Sequence, residues 1–388
     1  MIVLLSFVVH ILIYGVSFTY ASLSAFLVKR WGCRRVVIIG GILSTTGFLI
    51  SSVAPNLDTL YFTYSVMCGV GFGIAYIPSI VIIDEYFTKR RTIAVGIACS
   101  GIGLGSFIYP HITRFALYFF GWRGAFLICA GLTVNISVAG LFMKPGPLQR
   151  ARSQDVEEED ESSESSCHRG CDWGLPSVFH SLPYDAFCLV HFFFFVGYSI
   201  FQGNMSAYSQ LERGMTIQDA SLLMSIVGIM NLIGRIAHGF ICFLPQVETM
   251  KMFTFSTSMA AFSTCALSFV GSFTGFSIVG AVYGLSSACI GSLTPEIIIS
   301  LVGHDQLPTG YGFIMVFEAM GTFLGGFAGG FLQELTDQYQ VTFMTGGACF
   351  LSAAMLMFIP LMMNQQRKKP PLLEEISTVA TLLKADED

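Results

Sequence analysis

Apolar runs of about 20 residues recur along nearly the whole of this 388-residue chain. A helix needs about 20 predominantly apolar residues to cross a bilayer, because the hydrocarbon core is about 30 Å thick and each residue rises about 1.5 Å. Charged residues make up 12% of the chain, whereas soluble domains carry about a quarter. The runs therefore predict an all-α polytopic membrane protein and exclude a soluble one.

Eleven spans are predicted, and a long polar break divides them into five and six. The predicted spans are 2–27, 36–54, 60–83, 92–113, 122–143, 186–209, 220–244, 252–271, 274–302, 309–332 and 341–363. The first run is unusual, because the uncharged stretch from Met1 to Val28 is too long for one snug helix and too short for the roughly 40 residues that two helices need.

The polar break predicts the domain organisation. It contains an acidic, serine-rich stretch at 153–166, which is typical of a solvated flexible linker. We therefore expect an N-terminal transmembrane bundle over 1–143, a linker over 144–185, a C-terminal transmembrane bundle over 186–363 and a tail over 364–388. One set of alternating loops and tails carries 16 basic residues and the other carries 3, which places the linker and the tail in the cytoplasm.

Charge and histidine placement exclude several function classes. The net charge is −5, so there is no basic surplus to bind nucleic acid. Histidines such as His191 lie in or at the ends of spans, without a nucleophile or metal-ligand partner nearby in the sequence, and we interpret them as packing residues. We expect no enzyme activity, no metal and no cofactor.

Arg235 is the one basic residue inside a predicted span. An ionised side chain at mid-bilayer costs several kcal/mol by insertion scales, so it needs a partner or a function. Asn231 and His238 fall on the same helical face, and the guanidinium offers paired donors that match a carboxylate. We predict that Arg235, Asn231 and Tyr14 of the first run bind substrate; the alternative is an arginine that snorkels to the cytoplasmic interface.

Acidic residues in or beside the spans are the next candidates. Glu318 lies near the middle of its span, where it could pair with Arg235 or stay protonated, and we add it to the predicted substrate-binding set. Glu296 follows Pro295, which breaks the helical ladder and leaves carbonyl groups free. Asp84 lies beside a predicted cytoplasmic loop, so for this residue and Glu296 functional and structural roles stay equally open.

The run Tyr86–Gly105, which reads YFTKRRTIAVGIACSGIGLG, resembles the signature at the fourth-to-fifth helix junction of the monocarboxylate transporter family, solute carrier family 16. Further similar segments are Arg30–Gly41, Phe120–Ile128, Met143–Pro145 and Thr342–Cys349. The resemblance covers nearly the whole chain. From it we predict a gating and cytoplasmic-loop motif formed by Tyr86, Phe87, Lys89, Arg90, Arg91 and Gly96.

The resemblance implies a major facilitator fold, in which two helical bundles rock around a central pathway. In that family the residue matching Arg235 contacts the substrate carboxylate, and some members carry an acid at the position of Glu318. Asn231 stands where proton-coupled members have an acid, which favours facilitated diffusion over proton symport. Met1–Gly15 resembles the family's first helix and Ala21–Arg35 the end of its second, as though the two helices were fused.

Two hypotheses follow. The first is a plasma-membrane transporter of small monocarboxylates or related organic anions and zwitterions, which works by alternating access. The alternative is a non-transporting, truncated or exon-skipped isoform of such a transporter, because the fused first run removes part of a pathway wall. Some family members use a single-span chaperone glycoprotein, so the resemblance makes such a protein a candidate partner besides the substrate and the lipid bilayer.

Overall fold

The computed structural model describes residues 2–87, 89–144 and 181–368, with side chains from residue 16 onwards and up to residue 363. Within these ranges the chain is helical almost throughout and contains no strand. The side chain of Tyr14, nearly all of the predicted linker and most of the predicted tail lie outside the described residues.

Nine helices, numbered α1 to α9, follow one another along the chain. Their bounds are α1 Ile2–Ser52, α2 Asp58–Tyr86, α3 Arg91–Phe142, α4 Leu182–Leu211, α5 Ile217–Ile241, α6 Thr249–Leu267, α7 Phe273–Val302, α8 Leu307–Thr336 and α9 Tyr339–Met363. A π-helical stretch over Tyr61–Cys68 lies inside α2.

Two glycines split the longest helices into two arms each. Gly32 interrupts α1 at φ 77° and ψ 161°, and Gly121 interrupts α3 at φ 66° and ψ −176°. Both conformations are strained for any residue with a Cβ, so glycine is required at these two positions. The described residues thus form eleven helical segments, five up to Phe142 and six from Leu182 onwards. The fused first run forms a single helix, as predicted, whereas the predicted loop at 114–121 is helical instead.

Nine stretches in the described residues are long and apolar enough to cross a membrane. They account for nine of the eleven predicted spans. The first run is represented only by the short apolar helix Thr19–Val28, and the predicted span 252–271 corresponds to α6, which is not among the nine. All eleven predicted runs are nonetheless helical in the described residues.

Hydroxyl side chains make α6 less apolar than its neighbours. Most of these hydroxyls hydrogen-bond to a carbonyl of the preceding turn, as Thr257 does to Phe253 and Thr264 does to Ala260. This arrangement satisfies polar groups within the helix itself, which a bilayer or a packed bundle requires. The 19-residue helix is therefore compatible with a place inside the bundle.

The two halves meet along two seams. In the first seam, the first arm of α1 packs on α8, where a Cβ at Gly312 would lie 3.0 Å from the Cβ of Ala25. In the second seam, the first arm of α3 crosses α5, and a Cβ at Gly96 would lie 2.7 Å from the backbone oxygen of Arg235. Small residues allow this close approach, as they do between membrane helices generally.

Gly103 and Gly101 differ sharply, although they lie two residues apart on α3. A Cβ at Gly103 would lie 2.7 Å from the Cα of Leu232 on α5, whereas nothing lies within 4 Å of a Cβ at Gly101. The first glycine therefore belongs to the seam between the halves, and the second faces away from it.

Replacing Gly103 with valine is expected to destabilise the protein by about 1–3 kcal/mol, because the added side chain overpacks the seam between α3 and α5. The measurement is thermal unfolding of the purified protein in detergent. Gly101→Val is the matched control and should leave the melting temperature nearly unchanged. Equal melting temperatures for the two variants would contradict the helix crossing described here.

Candidate substrate site and cytoplasmic gate

Arg235 lies on α5, facing α7, and is only 4% exposed. Its Nε donates to Oδ1 of Asn231, one turn earlier, at 2.8 Å. The amide of Asn231 in turn donates to the Gly284 carbonyl oxygen on α7 at 3.2 Å. Asn231 therefore holds the guanidinium in one orientation, and the burial of Arg235 contradicts the alternative of a side chain that snorkels to the interface.

Gly291 on α7 makes room for the guanidinium. A Cβ at this position would overlap Nη1 of Arg235, so no other residue fits without moving the arginine. Nη1 is buried and has no hydrogen-bond partner. Among the described residues no carboxylate lies within ion-pair distance of Arg235, so the suggested pairing with Glu318 does not occur in this structure.

Glu318 on α8 is 3% exposed and lies near His191 of α4. The distance from His191 Nε2 to Glu318 Oε1 is 3.7 Å. The same Nε2 lies 3.0 Å from Oγ1 of Thr294 on α7. His191 is thus more than a packing residue, because it joins a polar cluster that three helices of the C-terminal half build.

Two tyrosines lie between these charged groups. Tyr76 of α2 and Tyr311 of α8 pack on each other, with ring centroids 6.2 Å apart. The Tyr76 hydroxyl is close enough to interact electrostatically with both Arg235 and Glu318. Cys99 of α3 also interacts with Arg235. The C-terminal half therefore supplies the charges, and the N-terminal half covers them with Tyr76 and Cys99.

A second ionic cluster joins the halves at the end of the bundle that we predict to be cytoplasmic. Arg91, at the start of α3 and 8% exposed, donates from Nη1 to Oδ1 of Asp84 at 2.8 Å. Its Nη2 and Nε donate to Oε2 of Glu296 on α7 at 2.7 and 2.9 Å. Nδ1 of His304, a residue between α7 and α8, lies 3.2 Å from Oδ2 of Asp84. The contacts of Arg91 with Glu296 and of Asp84 with His304 thus link the N-terminal half to the C-terminal half at this end of the bundle.

The residues of the predicted gating motif differ in their contacts and exposure. Arg91 forms the ionic cluster, and Gly96 lies in the seam beside Arg235. Tyr86 is half exposed and donates to the Lys144 carbonyl oxygen at 3.1 Å. Phe87, Lys89 and Arg90 are exposed. Asp84 and Glu296 are both partners of Arg91, so each has a structural contact in this cluster, and a functional role for them stays a prediction.

Several residues of the central cluster carried no signal in the sequence. His191, Tyr76, Tyr311, Cys99 and Thr294 come from five different helices, and only the packing of those helices brings them together. A period of 3.6 within one helix relates Asn231 to Arg235, but it cannot relate residues on separate helices.

A family model described as Major Facilitator Superfamily matches residues 5–253. The chain belongs to this superfamily. Its eleven described helical segments in two halves, five and six, agree with a fold of that kind. Solved structures agree as well: the human organic anion transporter MFSD10 (TETRAN) superposes with a TM-score of 0.67 at 13% identity, covering 93% of this chain and 84% of that one. The E. coli fucose:proton symporter FucP gives a TM-score of 0.68 at 12% identity, covering 91% and 90%.

Curated relatives confirm the resemblance to monocarboxylate transporters. Monocarboxylate transporter 12 of Xenopus laevis is 28% identical over 90% of this chain and 79% of its own length. Monocarboxylate transporter 14 of Mus musculus is 24% identical over 92% of this chain and 83% of its own. The chain is thus a multi-pass membrane transporter of the major facilitator type.

Replacing Arg91 with glutamine is expected to open the cytoplasmic side, because it removes the cation between two acidic side chains that then repel each other. Modification of the buried Cys99 by N-ethylmaleimide, applied from the cytoplasmic side and read by peptide mass spectrometry, should rise several-fold. The neighbouring Arg90→Gln is the control, because Arg90 is exposed, and it should leave the rate near that of the unaltered chain. Equal rates in all three proteins would show that the Arg91 cluster is not a gate.

Proposed function

We propose that the chain transports small monocarboxylates, or related organic anions and zwitterions, across the plasma membrane by alternating access. The observation that carries the proposal is the buried guanidinium of Arg235, whose Nη1 has no partner. A guanidinium stays charged at any physiological pH. In a low-dielectric interior a charge without a counter-ion is costly, so this group is suited to bind an anion that enters the pathway.

The shape of a guanidinium selects carboxylates. Its planar fork forms two parallel hydrogen bonds to the two oxygens of a carboxylate, which adds geometric specificity to the charge attraction. Nε is already bonded to Asn231, so the remaining donors at Nη1 and Nη2 are the ones that face the ligand. The similarity to monocarboxylate transporters supports the same substrate chemistry.

The ionic cluster around Arg91 supports alternating access. Asp84 and Arg91 belong to the N-terminal half, and Glu296 and His304 to the C-terminal half. Breaking these interactions frees the halves to separate at the cytoplasmic end, and the glycine seams let the backbones move against each other without interlocking side chains. The described arrangement is therefore the state that is closed toward the cytoplasm.

Arg235→Gln is expected to lower uptake of the best carboxylate by about 30-fold or more, because losing a desolvated charge partner costs about 2 kcal/mol or more. Labelled lactate, pyruvate, aromatic amino acids, creatine and carnitine are measured separately in cells that express the chain. Gly291→Ala, which displaces the guanidinium without removing it, should also reduce uptake. Arg213→Gln is the control, since Arg213 lies away from the central site and its hydrogen bonds within the described residues go to the Tyr208 hydroxyl. Full uptake by Arg235→Gln would refute the role of Arg235.

Facilitated diffusion is expected rather than proton symport, because Asn231 cannot carry a proton where proton-coupled relatives have an acid. In proteoliposomes, substrate should equilibrate to the same internal concentration with or without an imposed pH gradient. Accumulation above the external concentration that a protonophore abolishes would establish symport instead, with Glu318 as the first carboxyl to test.

A second candidate, a non-transporting isoform, is favoured by the open face of α3. Nothing lies within 4 Å of a Cβ placed at Gly101, Gly105 or Gly131, and the fused first run supplies one helix where the family has two. If uptake by cells that express the unaltered chain does not exceed that of cells without it for any of these substrates, this second candidate replaces the first.

A further inference from the structure

Glu318 is a second buried ionisable group that the binding of a simple carboxylate does not use. It is 3% exposed, and among the described residues its one ion-pair contact within 4 Å is with His191. No lysine or arginine neutralises it. The central site therefore has two poles, a cation at Arg235 and an acid at Glu318, and neither pole neutralises the other.

The hydrogen bonds of His191 determine which kind of ligand group can bind at the acidic pole. Nδ1 lies 3.0 Å from the Phe187 carbonyl oxygen. A carbonyl can only accept, so Nδ1 carries a hydrogen, and Nε2 of the neutral ring is then an acceptor. This acceptor faces Oε1 of Glu318 at 3.7 Å. When Glu318 is ionised, two acceptors face each other here, and they need a hydrogen-bond donor between or beside them.

Thr294 does not supply enough hydrogen-bond donors for His191 and Glu318. Its hydroxyl has a single hydrogen, which it shares between the Ile290 carbonyl oxygen and Nε2 of His191. Among the described residues no side chain or backbone group donates to the carboxyl oxygens of Glu318, whereas the Thr322 hydroxyl one turn on donates to the Glu318 backbone oxygen. The corner formed by His191, Thr294 and Glu318 is thus rich in acceptors and poor in donors.

An ammonium group has the complementary chemistry. It carries a positive charge and three donors and has no acceptor. It could donate at the same time to Oε1 of Glu318 and to Nε2 of His191, which lie 3.7 Å apart. Tyr76 and Tyr311 both interact electrostatically with Glu318, and Tyr76 does so with Arg235 as well, so a ligand that joins the two poles would pass the tyrosine pair.

We propose that Glu318 and His191 form the ammonium subsite for a two-ended substrate, an aminocarboxylate whose carboxylate lies at Arg235. This inference rests on the proposed function, because it takes Arg235 as the carboxylate site. Such a ligand neutralises both buried charges together, which neither a fatty acid nor a simple amine can do. Glu318 and His191 are then the residues that determine specificity, and Arg235 is the residue that determines the substrate class.

The test compares ligands that differ only at the end remote from the carboxylate. ω-Aminocarboxylates from 3-aminopropanoate to 6-aminohexanoate are compared with fatty acids of the same chain length, by calorimetric binding to the purified chain and by uptake into proteoliposomes. We expect at least one amino acid to bind about tenfold or more tightly than its matched fatty acid, because it adds charge-assisted hydrogen bonds. A ratio at or below one for every chain length in the unaltered protein would overturn the proposal, whatever the variants do.

Two variants assign that preference to the proposed subsite. Glu318→Gln keeps the shape and removes the charge, and it should bring the ratio close to one; His191→Asn should lower it as well. Glu334→Gln, an exposed acid on the same helix, should keep the ratio of the unaltered chain. A preference that survives in Glu318→Gln would refute the subsite.

The failure of this inference differs from the failure of the proposed function. Fatty acids that bind in an Arg235-dependent way, without any preference for an amine, retain the transporter and overturn only the subsite. A chain that binds and transports no carboxylate of either series overturns both.

Discussion

A buried guanidinium without a counter-ion is the constraint on which the central site depends. The protein holds Arg235 by a hydrogen bond from Nε to a neutral amide and by a glycine that leaves space for Nη1. An acid at position 231 would neutralise the arginine and compete with any incoming anion. Because Asn231 orients the group without cancelling its charge, the attraction for a carboxylate is retained inside the bundle.

Charge is used differently at the cytoplasmic end. There the guanidinium of Arg91 is fully paired, with Asp84 on its own half and Glu296 on the other. We therefore propose that Arg91 holds the pathway closed and does not attract a ligand. The two arginines thus have opposite roles, and the difference comes from their partners. Between them lies Gly96, whose lack of a side chain lets α3 cross α5 directly at the backbone of Arg235. A movement of α3 against α5 at this seam would therefore displace the backbone of Arg235, the residue proposed to bind substrate.

Much of the fold could be read from the sequence, because the bilayer imposes a length and an apolar character on every crossing. The break between the halves and the fused first run follow from that rule alone, and Arg235 and Asn231 could be paired because one helical turn separates them. The rule is least clear at α6, where most hydroxyls bond to the helix's own carbonyls and lower its hydropathy. The role of His191, which was interpreted as a packing residue, and the partners of Arg91 could not be predicted, because those contacts join helices far apart in the chain. The loop predicted at 114–121 is helical up to Phe120, and the break is the single residue Gly121.

The central claim is that a substrate carboxylate binds at Nη1 of Arg235 while Asn231 keeps hold of Nε. The most direct measurement is an experimentally determined structure of the purified chain with the best-transported carboxylate bound. The account predicts a carboxylate oxygen within about 3 Å of Nη1, with the bond from Nε to Asn231 intact. A carboxylate bound elsewhere in the pathway, with Nη1 of Arg235 still unpartnered, would contradict it.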